Sequence, residues 1–287
     1  MGRLYDRILL ILFYVFCVFL TFLYLSNETP LYPCDYVEYN FFQVDYANGL
    51  VNDIRGFFQN LASDIYGLNR NPVPAIPLLP FHYIIKNFRA GFIIGIIFVY
   101  MIPVMVLAVN IFKKYISYLL PDKFIFKFMI YTSIFLIPSV WLASFYGIPD
   151  VGGILPLTVA FSLYLKYGFN KKTSPKILVL TAFMLWLSFL FRRFYSVSIL
   201  AFLISMFLEN IIQSFALINN RKEFIKSNLI SFCNIGVIAL LVIAFALIFQ
   251  YKYIISIDYA EQLDMFRVDY NQWLRTLCQA PGQIIEV

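Results

Sequence analysis

The sequence predicts an all-α, polytopic membrane fold of about seven transmembrane helices, and three observations carry that prediction. Hydrophobic residues make up 61% of the 287 positions, charged residues only 13%, and the mean hydropathy is +0.77; a soluble domain of this length cannot hide so much apolar surface. The apolar residues fall into seven runs near the length of roughly 20 residues that a helix needs to cross a hydrocarbon core about 30 Å thick. Basic residues gather in alternate connections between those runs, as the positive-inside rule requires.

The runs cover residues 8–25, 90–112, 124–146, 148–165, 177–191, 196–212 and 229–249. Arg3 and Arg7 precede the first, as in a signal peptide. Its apolar stretch is nevertheless 18 residues long, and Ser26-Asn27-Glu28-Thr29-Pro30 holds no small-x-small cleavage site, so it reads as a retained anchor. With the amino terminus in the cytoplasm, the inner side collects 13 of the 22 basic residues against Asp6, Asp122 and Glu223, and the outer side nine bases and 12 acids. This predicts a multi-pass protein of a bacterial plasma membrane with a cytoplasmic amino terminus. The net charge of +6 sits in short loops beside apolar runs. It therefore meets membrane lipid headgroups, not nucleic acid.

Residues 177–212 admit two readings, a single helix interrupted by Arg192 and Arg193 or two helices joined by a tight turn there. Two arginines in midspan would each cost about 2.5–3.5 kcal/mol even on a lenient insertion scale, which favours the turn and a total of seven spans.

The connection 26–89 is too long to be a mere link. Leu50, Val51, Ile54, Phe57, Phe58, Leu61, Ala62 and Ile65 recur at helical spacing, with Asn52, Asp53, Gln59, Asn60 and Asp64 opposite, predicting an amphipathic helix lying in the outer membrane interface. Four prolines between Asn71 and Pro80 predict an extended, stiff segment after it. Residues 251–287 are more polar and read as a short outer tail or a truncated continuation.

The charged residues expected at the outer face supply the candidate chemistry. Asp35 and Glu38, three apart, would share a helix face. A carboxylate at a low-dielectric boundary becomes a better general base near neutral pH, and a pair suits a divalent cation, although a specific metal site stays unknown. Asp150, in Tyr146-Gly147-Ile148-Pro149-Asp150-Val151-Gly152-Gly153, is placed to cap the fourth span, and the two glycines after it would let an anionic ligand approach backbone N–H groups. Arg192 and Arg193, followed by Phe194 and Tyr195, present guanidinium forks that fit a phosphate, with aromatics to hold an isoprenoid tail. Lys86 and Arg89 precede the second span and join them. His82 is the only histidine, which excludes a histidine-rich metal site. Cys17 and Cys233 fall in spans, leaving no disulfide framework. Gly91 and Gly95 form a GxxxG spacing that predicts close helix packing.

The order of these features, a single span, a long outer loop opening on acids, Tyr-Gly-Ile-Pro-Asp before a span and Phe-Arg-Arg-Phe-Tyr in a later turn, resembles the GT-C glycosyltransferases of the protein mannosyltransferase and aminoarabinose transferase type. The resemblance covers roughly residues 1–250, matching a seven-span module of that family. It implies that Asp35, with Glu38 beside it, is the loop acid, that Asp150 is a second outer acid, and that Arg192 or Arg193 binds a lipid phosphate. The implied reaction moves a sugar from a polyprenyl-phosphate donor to a lipid or glycan acceptor at the outer face. The competing expectation is a nonenzymatic flippase, a polymerase-like protein or an accessory protein of lipid-linked glycan traffic that uses the same arginines only to grip phosphate.

Overall fold

The computed structural model describes residues 2–27, 34–67, 71–85, 87–115, 138–169, 173–192, 195–215 and 221–256. Every regular element among them is helical: α1 (Gly2–Asn27), α2 (Cys34–Asn52), α3 (Ile54–Gly67), a 3-10 turn (Ile76–Leu78), α4 (Leu79–Ile84), α5 (Phe88–Ile96), a π-helical turn (Ile97–Met101) and α6 (Ile102–Tyr115). There follow α7 (Pro138–Phe145), a 3-10 turn (Pro149–Gly153), α8 (Ile154–Tyr167), α9 (Pro175–Phe191), α10 (Tyr195–Phe215) and α11 (Arg221–Ser256). Three stretches, Phe88–Ile111, Tyr195–Ile212 and Asn228–Lys252, are long and apolar enough to cross a membrane, and α1 and α9 carry shorter apolar stretches. The chain is thus a helical membrane protein. Most of the expected third span, 124–146, lies outside the described residues.

Helical periodicity builds the packing. Leu9, Phe13 and Cys17, four apart on α1, bury against Ile93 of α5, Ile97 and Met101 of the π turn and Val109 of α6. A second core joins Ala160 and Tyr164 of α8, Leu178, Ala182 and Leu185 of α9, Met206 of α10 and Ile238 of α11. Two contacts fix directions. Ser188, near the end of α9, donates to the carbonyl of Gly153 at the start of α8 (2.7 Å), and Tyr164, near the end of α8, donates to the carboxylate of Glu209, near the end of α10 (2.5 Å). Consequently α9 runs against both α8 and α10, and the chain reverses at Arg192, whose φ of −158° and ψ of 137° are extended. The two-helix expectation for residues 177–212 holds.

The long connection departs from expectation in two places. Its amphipathic stretch is not one helix from Leu50 onward, because Leu50 and Val51 end α2 and the helix restarts after Asp53, whose carboxylate accepts the Gly56 N–H at 2.9 Å as an N-cap would. The proline-rich segment is not extended. It coils through a turn into the 3-10 helix and α4, because Pro77 and Pro80 each fall at the first positions of a helical element, where a missing N–H leaves no intrahelical bond unmade. The coil lets α4 lie over Gly91 and Gly95, where Phe81 and Leu78 occupy the space that side chains would need. The GxxxG spacing therefore serves close packing as expected, with α4 as the neighbour. At the far end, α11 kinks at Gln250 (φ −133°, ψ 21°), whose buried amide accepts from the Trp186 indole at 3.3 Å, and α3 packs alongside this helix.

Candidate functional site

The site assembles where α2, the start of α5, the Pro149–Gly153 turn and the α9–α10 reversal meet. Tyr36 and Tyr39 bury on one face of α2, with Gln43, Tyr46 and Ala47 continuing the stripe at helical spacing. They join Leu78, Phe92, Ile96, Tyr100, Val151 and Phe191 in a core that floors the site. Tyr100, within the π turn, donates to the Pro74 carbonyl at 2.6 Å, and Gln43 donates to the Leu78 carbonyl at 2.6 Å, so the proline-rich coil is tied to both walls.

Asp150 and Arg192 form the charged centre. The Arg192 Nε donates to the Asp150 carboxylate at 2.7 Å, with the two side chains 22% and 29% exposed. Semi-buried placement strengthens the attraction relative to open water and limits the desolvation that a fully buried pair would incur. Tyr195 donates its hydroxyl hydrogen to the Asp150 backbone carbonyl at 2.7 Å, fixing the peptide from the other side. The Arg192 guanidinium carbon sits 5.9 Å from the Tyr39 ring centroid, and that of Arg89 sits 4.5 Å from the Tyr36 ring centroid. Successive tyrosines of α2 thus each face a guanidinium, an arrangement that draws cation–π attraction from two ring faces.

Two expectations about Asp150 are corrected. It does not cap the fourth span, because it lies inside a 3-10 turn and α8 begins only after Gly153, so its carboxylate is turned to Arg192 instead. The glycines after it do not open backbone to a ligand. A Cβ on Gly152 would run into the rings of Phe191 and Tyr100, and one on Gly153 into the ring of Tyr195, so the protein's own aromatics fill that approach. Gly147 is demanded twice over, by its φ of 79° and by the Tyr36 ring against its α-carbon.

Of the predicted site residues, Asp150, Arg192 and Arg89 come together here. Asp35 and Glu38 lie in the first turns of α2, three apart on the helix that carries Tyr36 and Tyr39, and Glu38 is half-buried. The Asp35 side chain, Lys86 and Arg193 lie outside what is described, as does Phe194. Tyr195 turns inward to Asp150, so it does not serve as the aromatic support expected for an isoprenoid tail. Among the described residues no three His, Cys, Asp or Glu side chains gather as a metal site. His82 stacks on Phe88 at 4.9 Å and lies apart from the carboxylates. Tyr36 and Tyr39 escaped the sequence reading, although their i, i+3, i+7 recurrence with Gln43 was visible.

No protein-family model, curated protein or solved structure matches the chain.

Proposed function

We propose that the protein is a GT-C-type glycosyltransferase with seven spans, working where Asp150 and Arg192 meet, with that end at the outer membrane face. The observation that carries this is the Asp150–Arg192 pair, held at 2.7 Å beside Arg89 and under the helix that bears Asp35 and Glu38. Carboxylates and guanidinium groups at one end of a membrane bundle suit a lipid phosphate and an acceptor that must lose a proton.

In this scheme the acceptor oxygen or nitrogen forms a bond to the anomeric carbon while the bond from that carbon to the phosphate oxygen breaks. The acceptor proton passes to Asp35, with Glu38 as its companion, and the electron pair leaves on polyprenyl phosphate. Arg192 stabilises the charge gathering there, and Asp150 acts as a positioning residue that holds the guanidinium in place. Arg89, with Lys86 and Arg193 on adjoining backbone, adds cationic field at the same end.

The test is transfer in membranes supplied with radiolabelled polyprenyl-phosphate sugars at matched expression. Asp35→Asn is expected to abolish transfer, and Arg192→Gln to reduce it about 100-fold, the order lost on removing a group that stabilises developing charge. Unchanged transfer in Asp35→Asn would remove that acid from the mechanism. The nonenzymatic alternative draws support from Asp150, since an arginine already fixed by a carboxylate also suits a static grip on phosphate. Retention of polyprenyl phosphate by the native chain with no transfer from any donor would favour it.

A further inference from the structure

At the opposite end of the bundle from Asp150, α10 and α11 enclose a recess of about 370 Å³. Phe207, Ile211, Ile225, Leu229 and Phe232 form its apolar walls, and Asn210, Asn228 and Ser231 also line it. Ser231 is 2% exposed, and its hydroxyl has no hydrogen-bond partner within the protein. A buried hydroxyl left in that state costs about 1–3 kcal/mol unless a ligand satisfies it, which is a reason to look for one. The depth of the recess is informative. The apolar stretch of α10 ends at Ile212 and that of α11 begins at Asn228, so the recess straddles the level at which hydrocarbon gives way to headgroups. Lys226, exposed on α11 just beyond Asn228, and Lys166, exposed at the end of α8, place cations on the aqueous side of that level. Arg221 and Lys222 add two more basic residues to the first turn of α11.

We propose that this recess binds one anionic glycerophospholipid of the adjoining leaflet. An acyl chain lies along the apolar walls, an ester carbonyl at the glycerol level accepts from the Ser231 hydroxyl, and the phosphate faces Lys226. Each part of the lipid meets the group its chemistry requires: hydrocarbon against Phe207 and Leu229, acceptor against donor, anion against cation. The site is independent of the glycosyl-transfer proposal, since none of its residues touches the Asp150 end.

The experiment uses the full chain, purified in detergent, stripped of lipid and titrated with phosphatidylglycerol or phosphatidylcholine, with bound lipid counted by native mass spectrometry. The native protein is expected to retain one phosphatidylglycerol and to prefer it over phosphatidylcholine. Lys226→Gln should weaken that binding about fivefold, the effect of one basic residue near an anionic headgroup. Ser231→Ala should weaken both lipids alike by about threefold, as loss of one hydrogen bond does. Leu229→Trp, which fills the recess, should abolish retention, while Leu240→Trp, exposed farther along α11, should leave it unchanged and controls for folding. Equal binding of the two lipids, or equal retention by Leu229→Trp and Leu240→Trp, would overturn the proposal. So would a lipid-free dimer in which a second copy covers the recess.

Discussion

Tyr195 donates to the backbone carbonyl of Asp150 while Arg192, three residues earlier, takes the Asp150 carboxylate. One short turn between two helices therefore holds a distant aspartate by both its main chain and its side chain. Removing either holder should leave the other partly effective.

The ion pair itself should be measurable by a double-mutant cycle of Asp150→Asn and Arg192→Gln, followed by thermal unfolding in detergent. With both side chains about a quarter exposed, the coupling is expected near 1–2 kcal/mol, between the values typical of exposed and fully buried pairs. Coupling indistinguishable from zero would mean that solvent screens the pair completely.

Gly147→Ala should destabilise the protein by about 2 kcal/mol or more, because it combines a left-handed backbone with a methyl group driven against Tyr36. Adding Tyr36→Ala should recover only part of the loss, since the backbone term persists. Full recovery in the double variant would show that the ring contact alone explains the glycine.

Alkaline pH offers a third test through Tyr46, which lies outside the apolar stretches. Burial, then its hydrogen bond to Asp64, then the charges of Asp64 and Asp45 raise its phenol above the ordinary value of 10.0. In the unfolded chain the phenol ionises near pH 10, whereas the native state keeps its proton, so the unfolded state binds fewer protons at higher pH. This contribution is fully present below about pH 10 and is lost as pH rises above it, by at most about 1.4 kcal/mol per pH unit. Tyr46→Phe should flatten that part of the decline, read as the difference between the two proteins in apparent melting temperature from about pH 9 to about pH 11. Parallel curves would remove Tyr46 from the alkaline transition.

Trp186→Phe should cost about 1–3 kcal/mol by leaving the buried Gln250 amide without its indole donor. Because Gln250 marks the kink in α11, amide hydrogen exchange should accelerate from Gln250 to Ser256 more than from Asn228 to Ile238. Uniform acceleration along the helix would mean that the bond stabilises the bundle without shaping the kink.

Much of this architecture was legible in local pattern. The apolar runs announced the long helices, and the adjacent arginines announced the reversal at Arg192, because an interrupted hydrophobic run is a short-range signal. The partner of Arg192 was not legible, since Asp150 lies 42 residues away and nothing in local spacing encodes such a pairing. Helix α2 was hidden for another reason. Its buried stripe of Tyr36, Tyr39, Gln43 and Tyr46 mixes aromatic and amide side chains, so a search for plainly apolar periodicity passes over it and catches only Leu50 and Val51 at its end. The prolines misled through composition, because Pro77 and Pro80 stand where a helical element starts and there proline is compatible with coiling.

The π turn at Ile97–Met101 has a consequence for how this helix tolerates changes in length. A wide turn of this kind is equivalent to one residue inserted into an α-helix. Deleting a single residue there would let the backbone relax to ordinary α geometry but would swing everything after it by about 100° about the helix axis. Met105 and Val109 would rotate away from Leu9 and Phe13, while Phe92 and Ile96 kept their places beneath Tyr36 and Tyr39. The extra residue therefore works as a phase adjuster, letting one continuous rod serve two cores whose facing directions do not agree.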